Sequence, residues 1–320
     1  MQLPWGTDLV REIANYRSDG LTQFFQLFSE LGEAEGYILV VTLIYVAFNR
    51  ELGFRLAILV LITFCLNHLL KTAIMNPRPF VAEGEWMDMW AASAERARHL
   101  VAEYSTPSGH AMCAAAFYGF LATQVKKRWA KVAAVTLILL ISMSRPYLGV
   151  HYVEDILLGW VLGGLLALIC ARYAASLGQV WQRQAVATQA GLLVLATLLI
   201  WILGGDSLNQ PPTPVIGIMG FLTAILLIEP VERRYVGFEA GSGTAVQRGL
   251  CHLVTLICVI ATLALFGWLS DLIFERASLM GHLAKFGRYA AAGAAGLFLA
   301  PFIFVKLGFA KAHALGGGHD

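Results

Sequence analysis

The sequence predicts an all-α integral membrane protein with about nine transmembrane helices, and three observations carry that expectation. Hydrophobic residues make up 58% of the 320 positions and charged residues only 14%. Mean hydropathy is +0.66. Long apolar runs recur from Gly36 almost to the C-terminus, which excludes a soluble enzyme with a single anchor. A soluble domain needs far more charge to cover its surface. The runs are too long for barrel strands, and backbone polar groups in hydrocarbon must be satisfied internally, so the runs are read as helices.

Taken in order, the spans fall at roughly 36–49, 54–71, 109–125, 131–148, 153–175, 189–204, 214–230, 249–269 and 289–307. Before them, Leu21, Phe24, Phe25, Phe28 and Leu31 recur at helical spacing among charges within 9–31. Either an amphipathic helix on the interface or a first helix packed against the bundle fits that pattern. The opening Met-Gln-Leu-Pro-Trp-Gly-Thr-Asp lacks the basic flank and apolar run of a signal peptide, so insertion is expected to rely on the first span. Gly204 to Pro214 carries the clearest loop chemistry, and Gly316 to Asp320 reads as a disordered tail. The organisation expected is an N-terminal segment 1–35, a core 36–178, a four-helix extension 185–310 and a tail 311–320.

Charge gives the orientation. With the N-terminus outside, Arg50, Arg55, Lys126, Lys127, Arg128, Lys131, Arg172, Arg183, Arg233, Arg234, Arg248, Lys306 and Lys311 face inward, 13 in all. The outer side keeps the other 10 of the 23, or 7 once Lys71, Arg78 and Arg145 are assigned to a site. Lys285 and Arg288 run against the bias. The expectation is an outer N-terminus and a cytoplasmic C-terminus. A net charge of +2 with no basic run beyond three residues gives no reason to expect nucleic acid. Cys65, Cys113, Cys170, Cys251 and Cys258 are odd in number, lie in apolar stretches and form no C-x-x-C, so neither disulfides nor zinc are indicated. No metal cluster and no cofactor motif stand out.

In this topology three polar segments meet at the outer face. They are Lys71 to Pro79 at the end of the second span, Pro107-Ser108-Gly109-His110 at the start of the third, and Ser144-Arg145 through His151 to Asp155 between the fourth and fifth. Ionisable groups gathered at one membrane depth mark function, because burying them unpaired is costly. Lys71, Arg78 and Arg145 offer three cations, and guanidinium forks match phosphate oxygens bidentately. The N–H groups of Ser108 and Gly109 and the positive end of the third helix face the same space. His151 and Asp155, four residues apart, share a helical face. The carboxylate can hold one ring nitrogen while the other attacks phosphorus. His110 is placed to protonate the leaving alkoxide. Glu154 points elsewhere and is read as solvated. Glu229-Pro230 with Arg233 and Arg234 reads as a capped helix end, and His68, His252 and His282 read as packing residues.

The three segments K-x6-R-P, P-S-G-H and S-R-x5-H-x3-D occur in that order and resemble the signatures of the type 2 phosphatidic acid phosphatase superfamily at all eleven fixed positions. The resemblance covers about 36–178. It implies phosphate binding by Lys71, Arg78, Ser108, Gly109 and Arg145. It also implies His151 as nucleophile through a phosphohistidine, Asp155 as its orienter and His110 as acid and then base, without a metal. Glu103-Tyr-Ser-Thr-Pro-Ser-Gly-His-Ala-Met112 and Ser144 to His151 look like the sphingosine-1-phosphate phosphatase branch. Gly109 is shared instead with glucose-6-phosphatase, and the two branches stay open.

The function expected is a metal-independent phosphatase for a lipid phosphate monoester or diphosphate, with a periplasm-facing site in a bacterial inner membrane. Its partners are the amphiphilic substrate and membrane lipid. A phosphotransferase, a sugar phosphatase and a transporter that only binds phosphate are the alternatives. An intact His151–Asp155 pair argues against the transporter, because binding alone needs cations but no oriented nucleophile. The stretch between Arg78 and Ser108, with Trp86 and Trp90, is either a lid or a surface loop on the bilayer. The four later spans shape a lipid path, form a dimer face or act as scaffold; Gly217, Gly220, Gly293 and Gly296 permit close helix contact there.

Overall fold

The computed structural model describes residues 4–82, 100, 103–205 and 213–312. The stretch around Trp86 and Trp90, most of the Gly204–Pro214 loop and the Gly316–Asp320 tail lie outside the described residues. Among these residues all regular structure is helical, apart from one isolated bridge between Phe238 and Ala312. Among the described residues seven helices are long and apolar enough to cross a membrane, and the chain is an integral membrane protein. The expected spans near 36–49 and 109–125 appear as the shorter helices α3 (Ala34–Ala47) and α6 (Gly109–Gln124), of 14 and 16 residues.

Two compact units form: Met1–Tyr37 with Ile62–Ala175, and Ile38–Leu61 with Ser176–Asp320. In the first, the expected amphipathic stretch is two helices, α1 (Pro4–Asn15) and α2 (Asp19–Leu31). Ser18 separates them in an extended conformation, its side chain accepting from Leu21 N, as an N-cap does. Leu21 and Phe24 face outward, whereas Phe25 stacks on Tyr147 at 4.4 Å and Ser29 is fully buried. Helix α2 thus packs against the bundle.

Helix α4 (Arg50–Ile74) carries Lys71 in its last turn, and α5 (Pro79–Ala82) follows. Helix α6 is buried nearly all round, its Ala114-Ala115-Ala116 run leaving room for close neighbours. It packs with α7 (Arg128–Tyr147) and α8 (Val153–Gln182). The α6–α8 contact is nearly backbone on backbone: a Cβ at Gly159 would lie 3.1 Å from Ser108 O, and one at Gly163 would collide with Met112 O. Glu154 differs from its sequence reading. Its carboxylate oxygens are buried, against Gly6 of α1, because α1 covers that face of α8.

The second unit holds α9 (Val186–Leu203), α10 (Thr213–Tyr235), α11 (Ala245–Ile273) and α12 (Leu279–Ala294). Helix α12 continues through a π turn (Ala295–Leu299) into α13 (Ala300–Lys306). Tyr45, Val236, Phe238 and Phe304 join one core cluster. Beside it Arg50 pairs with Glu229 at 3.7 Å and with Glu232, its guanidinium 5.1 Å from the Phe238 ring centre. The expected helix end at Pro230 does not occur. A proline ring suits helical φ but forfeits the bond to the fourth residue back and crowds its carbonyl; the helix nevertheless continues to Tyr235, with Glu229 paired to Arg233 across the proline. The last span also starts earlier than expected, at Leu279, where Ser278 accepts from Gly281 N at 3.0 Å. Lys285 and Arg288 are therefore helical, not loop residues. The small residues serve within the unit: a Cβ at Gly217 would meet the Tyr289 ring at 3.0 Å and one at Gly293 would meet Ala224 Cβ at 2.9 Å.

Candidate active site

All eight sequence-predicted site residues fall in the first unit, and Arg78 ties the first segment to Glu103 and to the Val150–His151 end of the third. The chain leaves α4 through Met75 in the left-handed region (φ 54°) and turns back, so that Asn76 O accepts from Ser105 N at 2.7 Å. Asn76 Nδ2 donates to Thr106 Oγ1 at 2.8 Å. Arg78, only 1% exposed, then donates to Glu103 O at 3.1 Å, Glu103 Oε2 at 2.8 Å and Val150 O at 3.0 Å. Its Nη1 also lies 3.2 Å from His151 Nε2. Lys71 Nζ donates to the same Glu103 Oε2 at 3.2 Å. A carboxylate oxygen thus occupies the space between two cations that a phosphate oxygen would suit.

Ser108 caps α6, accepting from Ala111 N at 3.5 Å, while its own N–H donates to Asp155 O at 3.1 Å. Gly109 is close to Asn67, whose Oδ1 would stand 3.1 Å from a Cβ. A side chain there would narrow the approach to the helix N-terminus. His110 Nε2 is 3.1 Å from Ser29 O and 3.4 Å from Glu33 Oε1. Arg145 Nη1 donates to Ser29 Oγ at 2.5 Å. Helix α2 therefore supplies the partners of both the candidate acid and the third cation.

Asp155 is fully buried and fully bonded: Ser105 Oγ and Thr106 Oγ1 each donate to it at 2.5 Å, and Tyr152 N donates at 2.9 Å. His151 Nδ1 lies 3.3 Å from Asp155 Oδ2. An ionised carboxylate only accepts, so this pair fixes the proton on Nδ1 and leaves the lone pair on Nε2. Burial, then the fields of Arg78, Arg145, Lys71 and His110, hold the imidazole well below the ordinary histidine range. The ring is neutral at pH 7, as a nucleophile must be. Burial alone would raise the Glu103 carboxyl, but Lys71 and Arg78 outweigh it and hold the group at about 2.

Sequence reasoning did not find Ser29, Glu33, Asn67, Asn76, Glu103, Ser105 or Thr106. Glu103, Ser105 and Thr106 were within reach, since they immediately precede Pro107-Ser108 and are polar beside an apolar helix. Ser29 and Glu33 depend on how α2 packs, for which the chain offers no local signal.

This arrangement has counterparts. Residues 52–179 match the PAP2 superfamily, and residues 216–312 match the PAP2 superfamily phosphatase, transmembrane extension. The chain belongs to the PAP2 superfamily. It is 28% identical over 122 residues to an undecaprenyl-diphosphatase of Sulfolobus acidocaldarius, covering 38% of this chain and 54% of the relative. It is 28% identical over 151 residues to sphingosine-1-phosphate phosphatase 2 of Homo sapiens, covering 45% and 36%. A 72-residue stretch is 39% identical to phosphatidylglycerophosphatase B of Bacillus subtilis, covering 20% and 36%. The chain spans about half or less of the length of these relatives.

Proposed function

We propose that this protein is a membrane phosphatase that hydrolyses a lipid phosphate monoester or diphosphate through a phosphohistidine, without a metal. The observation that carries the reading is His151, oriented by Asp155, with its unprotonated Nε2 facing the buried Arg78 guanidinium, whose N–H it accepts until a phosphate draws that donor away. Lys71, Arg78 and Arg145 neutralise the phosphate oxygens, and the N-terminus of α6 at Gly109 adds a backbone donor, whereas the Ser108 N–H that the sequence offered is taken by Asp155 O. His151 Nε2 forms a bond to phosphorus as the bond to the lipid oxygen breaks, and His110 gives its proton to that oxygen. Water then attacks phosphorus, His110 takes the water proton, the P–N bond breaks and inorganic phosphate leaves. The names of the three relatives, all phosphatases of lipid phosphates or diphosphates, support the substrate class.

In this reading all nine expected spans cross the membrane, the N-terminus and the site face the periplasm of a bacterial inner membrane, and the C-terminus is cytoplasmic. The test is phosphate release by the purified chain with chelator present. The substrates are sphingosine-1-phosphate, phosphatidate, a polyprenyl diphosphate and glucose-6-phosphate, and His151→Ala is the control. Turnover of one lipid, lost in the variant, is expected; release from glucose-6-phosphate alone would overturn the lipid reading. A cysteine placed at Ser207 and labelled only from the cytoplasmic side would overturn the orientation.

A further inference from the structure

Lys285 and Arg288 oppose the charge bias of the chain, and the structure gives them a setting of their own in the second unit. They sit one turn apart on α12, inside an apolar helical stretch, Leu279–Lys306. The Arg288 guanidinium occupies the notch left by Gly267 of α11, where a Cβ would stand 2.6 Å from its Cζ. Its Nε is buried without a hydrogen-bond partner among the described residues. Asp271, the nearby carboxylate, is taken by Arg276 through bonds of 2.7 and 3.0 Å. Neither Lys285 nor Arg288 forms a salt bridge among the described residues; Arg288 acts on Asp271 only through its field, and its guanidinium lies 5.7 Å from the Tyr289 ring centre. Two cations without a direct carboxylate partner in such a place call for an anion.

The hydrocarbon side of a site is present too. An apolar groove of about 460 Å³ is lined by Thr262 and Phe266 of α11 and by Ala291, Ala295 and Phe298 along α12 and its π turn, with Val231 of α10 closing its other side. That volume lies in the ~300–1,000 Å³ range of small-ligand sites. Arg288, Ala291, Ala295 and Phe298 are spaced i, i+3, i+7 and i+10, so they share one helical face. Phe266 adjoins Gly267. The groove therefore runs on from the cation pair along the same two helices, and its small alanines leave the trough open.

We infer that Lys285, Arg288 and this groove form a binding site for an anionic phospholipid of the membrane. The headgroup phosphate is held by the two cations and an acyl chain lies along Ala291, Ala295 and Phe298. This site is made of residues that take no part in the proposed hydrolysis, and it does not depend on that reading.

Native mass spectrometry of the delipidated full chain tests it, with phosphatidylglycerol and phosphatidylcholine of matched chains as probes and inorganic phosphate as competitor. The wild type is expected to retain phosphatidylglycerol preferentially. Loss of each cation lowers that preference by about fivefold, so Lys285→Gln weakens it and Lys285→Gln with Arg288→Gln abolishes it. Ala295→Phe, which fills the groove and keeps both cations, is expected to lower retention of both lipids. It also decides the matter should the Arg288 variant fail to fold. Equal retention of the two lipids by the wild type would overturn the inference. So would an unchanged preference after Lys285→Gln, or full displacement by inorganic phosphate, which would mark a simple anion site.

Discussion

Glu103→Gln is the most informative single change in the catalytic unit. In the free protein Glu103 Oε2 accepts from Lys71 at 3.2 Å and from Arg78 at 2.8 Å, so an entering phosphate must displace a carboxylate. Glutamine keeps an acceptor of the same reach and removes the charge. Arg78 is buried whereas the Glu103 side chain is half exposed. The charge term therefore lies between the ~0–1 kcal/mol of an exposed pair and the ~3–5 kcal/mol of breaking a buried one. A value of about 1.4 kcal/mol corresponds to a factor of about ten. Inorganic phosphate and vanadate are expected to inhibit the variant about tenfold more tightly, with KM falling and kcat falling as product leaves more slowly. The assay is steady-state inhibition at neutral pH on protein of wild-type melting temperature. Inhibition that is unchanged or weaker would refute the reasoning and make Glu103 a brace for the cations instead of a competitor of the phosphate.

Asp155→Asn leaves the shape of the site and removes the carboxylate that fixes the His151 tautomer; kcat is expected to fall ~10⁴-fold, as in hydrolases with an oriented histidine. His110→Gln removes the proposed proton donor and is expected to cost ~10²–10⁴ in kcat, and least for substrates with acidic leaving groups. The folded His151 lies below its unfolded value of 6.5, so its neutral form persists as pH falls. The acid limb of kcat/KM is expected well below pH 6.5, and a limb at or above that pH would contradict the site electrostatics. For stability the same sign holds: the His151 contribution is complete above pH 6.5 and declines below it. That of Glu103 is complete above 4.5 and lost as pH approaches about 2, both readable in melting curves against pH. Ser105→Ala strips a short bond from buried Asp155 and should destabilise by ~1–3 kcal/mol while lowering kcat.

The core of the site was legible because each signature is a local string whose chemistry survives without knowing the fold. Lys71 and Arg78 flank one turn, Ser108 caps the helix that Gly109 opens, and His151 and Asp155 lie four apart. What joins the strings was not legible. Arg78 reaching Val150 O, or Ser29 meeting both His110 and Arg145, depends on tertiary packing that no periodicity encodes. The helices were mostly legible from hydropathy, and the errors have causes. His282, Lys285 and Arg288 dilute the apolar signal at the start of α12, although Ser278 was an available cap. Pro230 looked like a terminator, since it forfeits a backbone bond and crowds the preceding turn, but the pairing of Glu229 with Arg233 spans it and the helix runs on. The amphipathic stretch at 9–31 hid a break because Ser18 stands between two segments that share one apolar stripe.

The glycines at 159 and 163 have a mechanical consequence. With no side chain between them, α8 rests on the backbone of α6 at Ser108 and Met112, so the strand of chemistry carrying His151 and the helix end presenting Ser108 and Gly109 cannot slide or tilt independently. When a bilayer thickens or thins, its helices respond mainly by tilting, and here the pair would tilt as one body. The spacing between the proposed nucleophile and the proposed phosphate-binding helix end is thereby insulated from the thickness of the surrounding membrane. Turnover should depend on how readily a lipid headgroup reaches the site, and hardly at all on the length of the acyl chains around the protein.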